Sequence, residues 1–149
     1  MTIFSMTIDA SLTVDSRFAF LIERLLEANG FYYFDITDGE DPCMDGVYET
    51  KKFTIHSYIR YATKLKNLFD KADKIIDELI KIREKMVDDI HENIYGIIAP
   101  YQDMLGIEKD TGIDSEYDIN DPVNELNDTL IELLVYQMME NGLLNVKED

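Results

Sequence analysis

Between residues 54 and 95 the chain carries neither glycine nor proline, and its apolar side chains recur at alternating steps of three and four. Tyr58, Tyr61, Leu65, Leu68, Ala72, Ile75, Leu79, Ile82 and Met86 keep that spacing, and Phe69, Ile76, Ile80 and Ile90 widen the seam on one flank. Side chains three and four apart share one face of an α-helix, so the pattern predicts a long helix over 54–95 with a heptad seam. At 1.5 Å per residue such a helix is roughly 63 Å long. A compact chain of 149 residues has a diameter of only roughly 38 Å. The segment must therefore bend or break in two, belong to an elongated molecule, or lay its seam on another chain. Leu65, Leu68, Ile75, Leu79 and Ile82 are the candidates for helix packing or self-association, and a homodimer is one arrangement that would cover them.

The segments around this helix read differently. Phe4, Met6 and Ile8 alternate with Ser5, Thr7 and Asp9, which is strand periodicity. Asp15 is placed to cap a helix that runs to Asn29, with Phe18, Leu21, Ile22, Leu25 and Leu26 on one face and Gly30 just past its end. Residues 31–36 are rich in aromatics and predict a strand with Tyr32, Phe34 and Ile36 on a common face. Asp38-Gly39 and Asp45-Gly46 predict turns around an acidic loop containing Pro42, and 47–53 returns as a further strand. Gly96 and Pro100 are expected to end the long helix, with a short apolar turn over 101–105 and an acidic loop over 108–121. Asp121 followed by Pro122 starts a last helix that stops at Gly142. Eight of the ten residues over 130–139 are apolar, so this helix is expected at the centre of the core or under a partner. The fold class is mainly α (α+β). One long helix and two or three others pack with a small two- or three-stranded antiparallel sheet near the N-terminus, in a single domain over 1–149.

Charge narrows the partners. The chain has 14 Lys and Arg against 31 Asp and Glu, a net charge of −17. The acidic excess sits in the first and last thirds, whereas 51–100 has a small basic excess. Such a chain repels nucleic acid and anionic membrane and attracts basic protein surfaces or cations. No apolar run is long enough to span a bilayer, and the first ten residues lack a basic leader region, so a cytoplasmic location is expected. The one cysteine, Cys43, excludes an internal disulfide and a zinc site built on cysteines. Lys64, Lys66, Lys71, Lys74, Lys81, Arg83 and Lys85 alternate with acids along the long helix and read as a salt-bridged, solvated surface.

Motifs for chemistry are incomplete. Asp88-x-x-His91 has the half-site spacing of carboxylate-bridged metal bundles, but no second such motif exists, and a solvated pair is expected. Glu125-x-x-Asp128 resembles the second carboxylate motif of all-α nucleotide pyrophosphatases, which hold Mg²⁺ with four carboxylates from two helices. Its first half has only Asp70-x-x-Asp73 and Asp77-Glu78 as substitutes. Asp114, Glu116, Asp118 and Glu125 match positions 1, 3, 5 and 12 of a calcium loop, yet Ile119 stands where the sharp turn needs glycine, and Asp121 is a second misfit. There is no glycine-rich phosphate loop and no nucleophile elbow, and carboxylates flank Cys43 and disfavour its thiolate. The expectation is no metal, no cofactor and no enzyme activity.

What remains is the acidic surface. Ten carboxylates and one lysine lie over 103–132. In composition the chain resembles small acidic inhibitors of phages and plasmids, including DNA mimics and anti-CRISPR proteins. That resemblance implies a non-enzymatic inhibitor that occludes a basic, nucleic-acid-binding surface of a target protein; an antitoxin or immunity protein would look the same. Asp114, Glu116, Tyr117, Asp118, Asp121, Glu125 and Asp128 are the expected partner-binding residues. The alternatives are a structural or adaptor subunit assembled through the heptad helix and a Mg²⁺-dependent pyrophosphatase-like enzyme.

Overall fold

The computed structural model describes residues 6–43, 46–107 and 120–147. It is mainly helical, with three helices and a three-stranded antiparallel sheet near the N-terminus. The elements in order are β1 (Thr7–Asp15), α1 (Ala19–Ala28), β2 (Phe34–Cys43), β3 (Gly46–Tyr58), α2 (Ala62–Leu105) and α3 (Asn120–Glu140). Short 3-10 turns at Ser16–Phe18 and Ile59–Tyr61 lead into α1 and α2. The chain gathers into two compact units, one of Met1–Asp77 with Leu134–Asp149 and one of Glu78–Leu133.

In the first unit β3 lies at the centre of the sheet, between β1 and β2. The ladder pairs Leu12 and Ile36 with Phe53, and Ala10 and Phe34 with Ile55. Directly opposed residues share a face, so these form the inner side of the sheet. Phe53, Ile55 and Val14 are buried there, and the Phe34 and Phe53 rings lie 5.9 Å apart. Phe18, Leu21, Ile22, Leu25 and Leu26, the face read from sequence, are all buried. From α2 the unit contributes Leu65, Leu68, Ala72 and Ile75, so this stretch of the heptad seam is covered within the chain.

Side-chain hydrogen bonds tie the ends of the unit together. Asp15 accepts the Arg17 backbone N–H at 3.0 Å and opens the turn into α1. At the other end Gly30 has a φ of +84°, a left-handed conformation that glycine adopts without strain. Its N–H donates to Glu27 O and that of Phe31 to Leu26 O, a paired closure that satisfies the last carbonyls. Asn29, buried beside it, donates through Nδ2 to Leu25 O and Leu144 O and accepts the Val146 N–H. Lys71 and Asn67 of α2 donate to Asn145 O and Lys147 O, so the segment after α3 is held from two helices.

Several boundaries depart from expectation. The strand predicted over 31–36 begins only at Phe34, leaving Tyr32 and Tyr33 outside it, 68% and 80% exposed. Asp38-Gly39 is no turn but the middle of β2. Gly39 stands opposite Thr50, and a Cβ there would come 2.9 Å from Thr50 Oγ1, so the strand itself accounts for the glycine. The helix predicted from residue 54 gives up 54–58 to β3, where alternation buries Ile55 and exposes His56.

In the second unit α2 continues through Gly96 and Pro100 to Leu105. Pro100 lacks the N–H that would reach Gly96 O, and the helix passes over that one missing bond. The predicted apolar turn over 101–105 is the last turn of α2, with Met104 81% exposed. The segment 54–95 is therefore neither one helix nor two, but a strand followed by part of one helix. α3 begins at Asn120, two residues before Pro122, the expected first helical position. Leu79, Val123 and Ile131 are buried, whereas Ile82 is exposed. Leu126 and Leu133 are exposed as well, so this part of α3 is not apolar core all round. A polar stitch joins the helices: Arg83 donates to Asn124 Oδ1 at 3.2 Å and lies 3.4 Å from Asp128, while Asn127 donates to Arg83 O.

Candidate partner-binding surface

The period of two that buries one face of the sheet places polar residues on the other. Thr7, Asp9, Ser11 and Thr13 of β1 share that outer face with Thr37 and Asp35 of β2 and with Lys52, Thr54 and His56 of β3. Asp9 stands directly opposite His56, and Asp35, on the far side, is opposite Thr54, two positions along β3. The His56 ring bridges the two: Nδ1 is 2.7 Å from Asp9 Oδ1 and Nε2 is 2.9 Å from Asp35 Oδ2. Two ring nitrogens that both face carboxylates need two N–H donors, which only the imidazolium has. The hydrogen bond to Asp35, then that to Asp9, accordingly raises the His56 pKa above its ordinary 6.5, against a smaller opposing effect of desolvation.

β1 ends at the Asp15–Thr50 pair, but β2 and β3 run on together as a two-stranded ribbon. Its first pair beyond β1 sets Glu40 directly opposite Glu49. Like charges at opposed positions destabilise a ladder, and here both residues are exposed. Two pairs further back, Asp38 and Lys51 form an ion pair that raises the Lys51 pKa, mainly through the hydrogen bond to Asp38. Asp38, Gly39, Glu40, Glu49, Thr50 and Lys51 together line a shallow cleft of about 400 Å³.

Aromatics lie on the other side of His56. A second cleft of about 330 Å³ is lined by His56, Tyr32, Tyr33, Tyr58, Tyr61 and Lys64, among others. The Arg60 guanidinium sits over the Tyr58 and Tyr61 rings, 5.2 and 4.9 Å from their centroids. Tyr32 and Tyr33, exposed and without such a cation over them among the described residues, are groups that a basic partner surface contacts well through cation–π interaction.

The residues expected from sequence to bind a partner are distributed otherwise. Asp114, Glu116, Tyr117 and Asp118 lie outside the described residues, and with them most of the calcium-loop template. Asp121 and Glu125 are exposed in the first turns of α3. Asp128 is turned to Arg83, so its charge is already matched inside the unit. His91, expected in a solvated pair with Asp88, instead has a buried Nε2 with no hydrogen-bond partner among the described residues. Of the seam candidates, Leu65, Leu68, Ile75 and Leu79 are buried and Ile82 is exposed. Among the described residues no three His, Cys, Asp or Glu side chains converge as a metal site, and no helix is long and apolar enough to cross a membrane.

Sequence reading missed both the His56 bridge and the Glu40–Glu49 pair. The signal was present, since Asp9, Asp35 and His56 all fall on polar positions of alternating segments. It becomes legible only once the register of three strands is known. Comparison with family models, with curated proteins and with solved structures finds no match for this chain.

Proposed function

We propose that this chain is a non-enzymatic protein-binding inhibitor that occludes a basic, nucleic-acid-binding surface of a target protein. The observation that carries the reading is the β2–β3 ribbon. Glu40 and Glu49 keep a like-charge juxtaposition that costs stability, on a surface where either residue could be neutral without loss to the core. A partner of opposite charge would relieve that repulsion. Glu40 and Glu49 sit opposed on a hydrogen-bonded ladder, which spaces their carboxylates closely, as they must be if they are to stand in for a phosphate backbone, while Asp38 is matched by Lys51. The net charge of −17 adds long-range attraction and predicts fast, salt-sensitive association. A counter-defence inhibitor, an antitoxin or an immunity protein would look the same.

The test is affinity capture of the tagged protein from its host's lysate at low ionic strength, a salt-step elution, and mass spectrometry of the eluate. A nucleic-acid-handling protein with a basic surface, released by salt, supports the reading. Capture of nothing that salt releases contradicts it.

One observation favours a second reading, a structural subunit. Ile97, Tyr101, Met104 and Leu105 are exposed at positions that share one face of α2. Light scattering distinguishes the two. An oligomer that Tyr101→Asp with Leu105→Asp dissociates favours assembly, and a monomer in both proteins removes it.

A further inference from the structure

The outer face of the sheet holds a second electrostatic device. His56 is on the central strand, and it reaches one carboxylate on each neighbouring strand, Asp9 on β1 and Asp35 on β2. The side chains of all three are open to solvent. The charged and titratable groups around the ring are these two carboxylates; the phenols of Tyr32, Tyr33, Tyr58 and Tyr61 and the Lys64 ammonium, which line the cleft beside it; and the Arg60 guanidinium over the Tyr58 and Tyr61 rings. The backbone of His56 is fixed independently, because its N–H donates to Tyr33 O at 2.9 Å. The strand therefore stays in place whatever the ring does.

The protonation states differ in number of bonds and in charge. The imidazolium has a donor for each carboxylate, and the three groups together carry one net negative charge. The neutral ring has one N–H and one lone pair, and a lone pair facing a carboxylate is repelled. One carboxylate must then turn away, and the three groups carry two net negative charges. We infer that Asp9, His56 and Asp35 form a proton-gated clamp: protonated, it bridges the three strands and partly cancels their charge; deprotonated, it releases one carboxylate to a cationic side chain of the partner. This rests on the proposed function in so far as the outer face meets a basic partner. The proton leaves to solvent, and no other group changes state. The hydrogen bonds to Asp35 and Asp9 raise the gate above the ordinary histidine value. Binding of a basic partner therefore strengthens as pH rises through that point.

Two measurements on the full chain test the clamp. In an NMR titration the His56 ring should titrate above 6.5, and Asp9→Asn with Asp35→Asn should return it toward 6.5. A wild-type value at or below 6.5, or one unmoved by the double substitution, overturns the clamp. A deca-arginine peptide then serves as the basic probe, at constant ionic strength on either side of the measured His56 transition. One exposed unit charge predicts roughly three- to fivefold tighter binding at the higher pH, and His56→Gln should abolish that difference. Equal wild-type affinity at the two pH values, or an unchanged difference in His56→Gln, overturns the gate. Failure of both proteins to bind the peptide at any pH contradicts the acidic-surface reading instead, and the NMR titration alone then decides the clamp.

Discussion

The two faces of the same three strands do different work. The inner face sets Val14, Phe53 and Ile55 in the core, where each side chain is fixed by its neighbours. The outer face carries threonines, one lysine and the Asp9–His56–Asp35 bridge, all in reach of water. Stability therefore depends on one set of alternating positions, which leaves the other set and the ribbon beyond β1 open to charge. A Glu40–Glu49 pair on a buried ladder would unfold a sheet of this size; on an exposed ribbon it costs a fraction of a kcal/mol to about 1 kcal/mol.

Substitutions sharpen this contrast. Phe53→Ala removes a fully buried ring from the central strand and should cost about 3–5 kcal/mol in urea denaturation. An outer-face substitution such as Thr54→Ala should stay within about 0.5 kcal/mol, and equal costs at the two sites would break the comparison. Asn29→Ala is next in size. It strands the buried Leu144 carbonyl and the Val146 N–H, so a loss of about 2 kcal/mol is expected, with amide exchange accelerated first over 144–146. Glu40→Lys runs in the opposite direction. Facing Glu49 it turns repulsion into attraction and should raise stability by a few tenths to about 1 kcal/mol while weakening partner capture. The smallest effect is that of pH on the clamp. Folding raises the His56 pKa, so its stabilising contribution is complete below the unfolded value near 6.5 and is lost as pH rises through the folded value. Denaturation midpoints measured across that window should fall in the wild type and lose that component in His56→Gln.

Local periodicity carried much of the fold in the sequence. The apolar face of α1 and the glycine at its end are short-range features, and Gly30 and Gly142 both take the left-handed conformation that ends a helix. The ends of the long helix were less legible. Residues 54–58 satisfy both the helical spacing and the strand alternation, and pairing with β1 and β2 decides for the strand. Gly96 and Pro100 read as breakers, yet one missing hydrogen bond does not stop a helix that is otherwise continuous. Gly39 read as a turn because the close approach of Thr50 is a property of the ladder and not of the dipeptide.

The candidate site was legible in charge but not in place. Net charge pointed to an acidic surface, and Asp121 and Glu125 are exposed. Asp128 is matched by Arg83, a partner 45 positions away that no local pattern reveals. Asp9, Asp35 and His56 come from three segments, and only the register brings them together.

The most direct test of the proposed function is capture by Glu40→Lys with Glu49→Lys, compared with wild type. Reversing both charges keeps a like-charge pair on the ladder, so the melting temperature should stay at the wild-type value while the sign of the ribbon changes. The account predicts that the salt-released partner disappears from the eluate of this double variant while its fold and stability are kept. Retention of the same partner at the same salt concentration would contradict it.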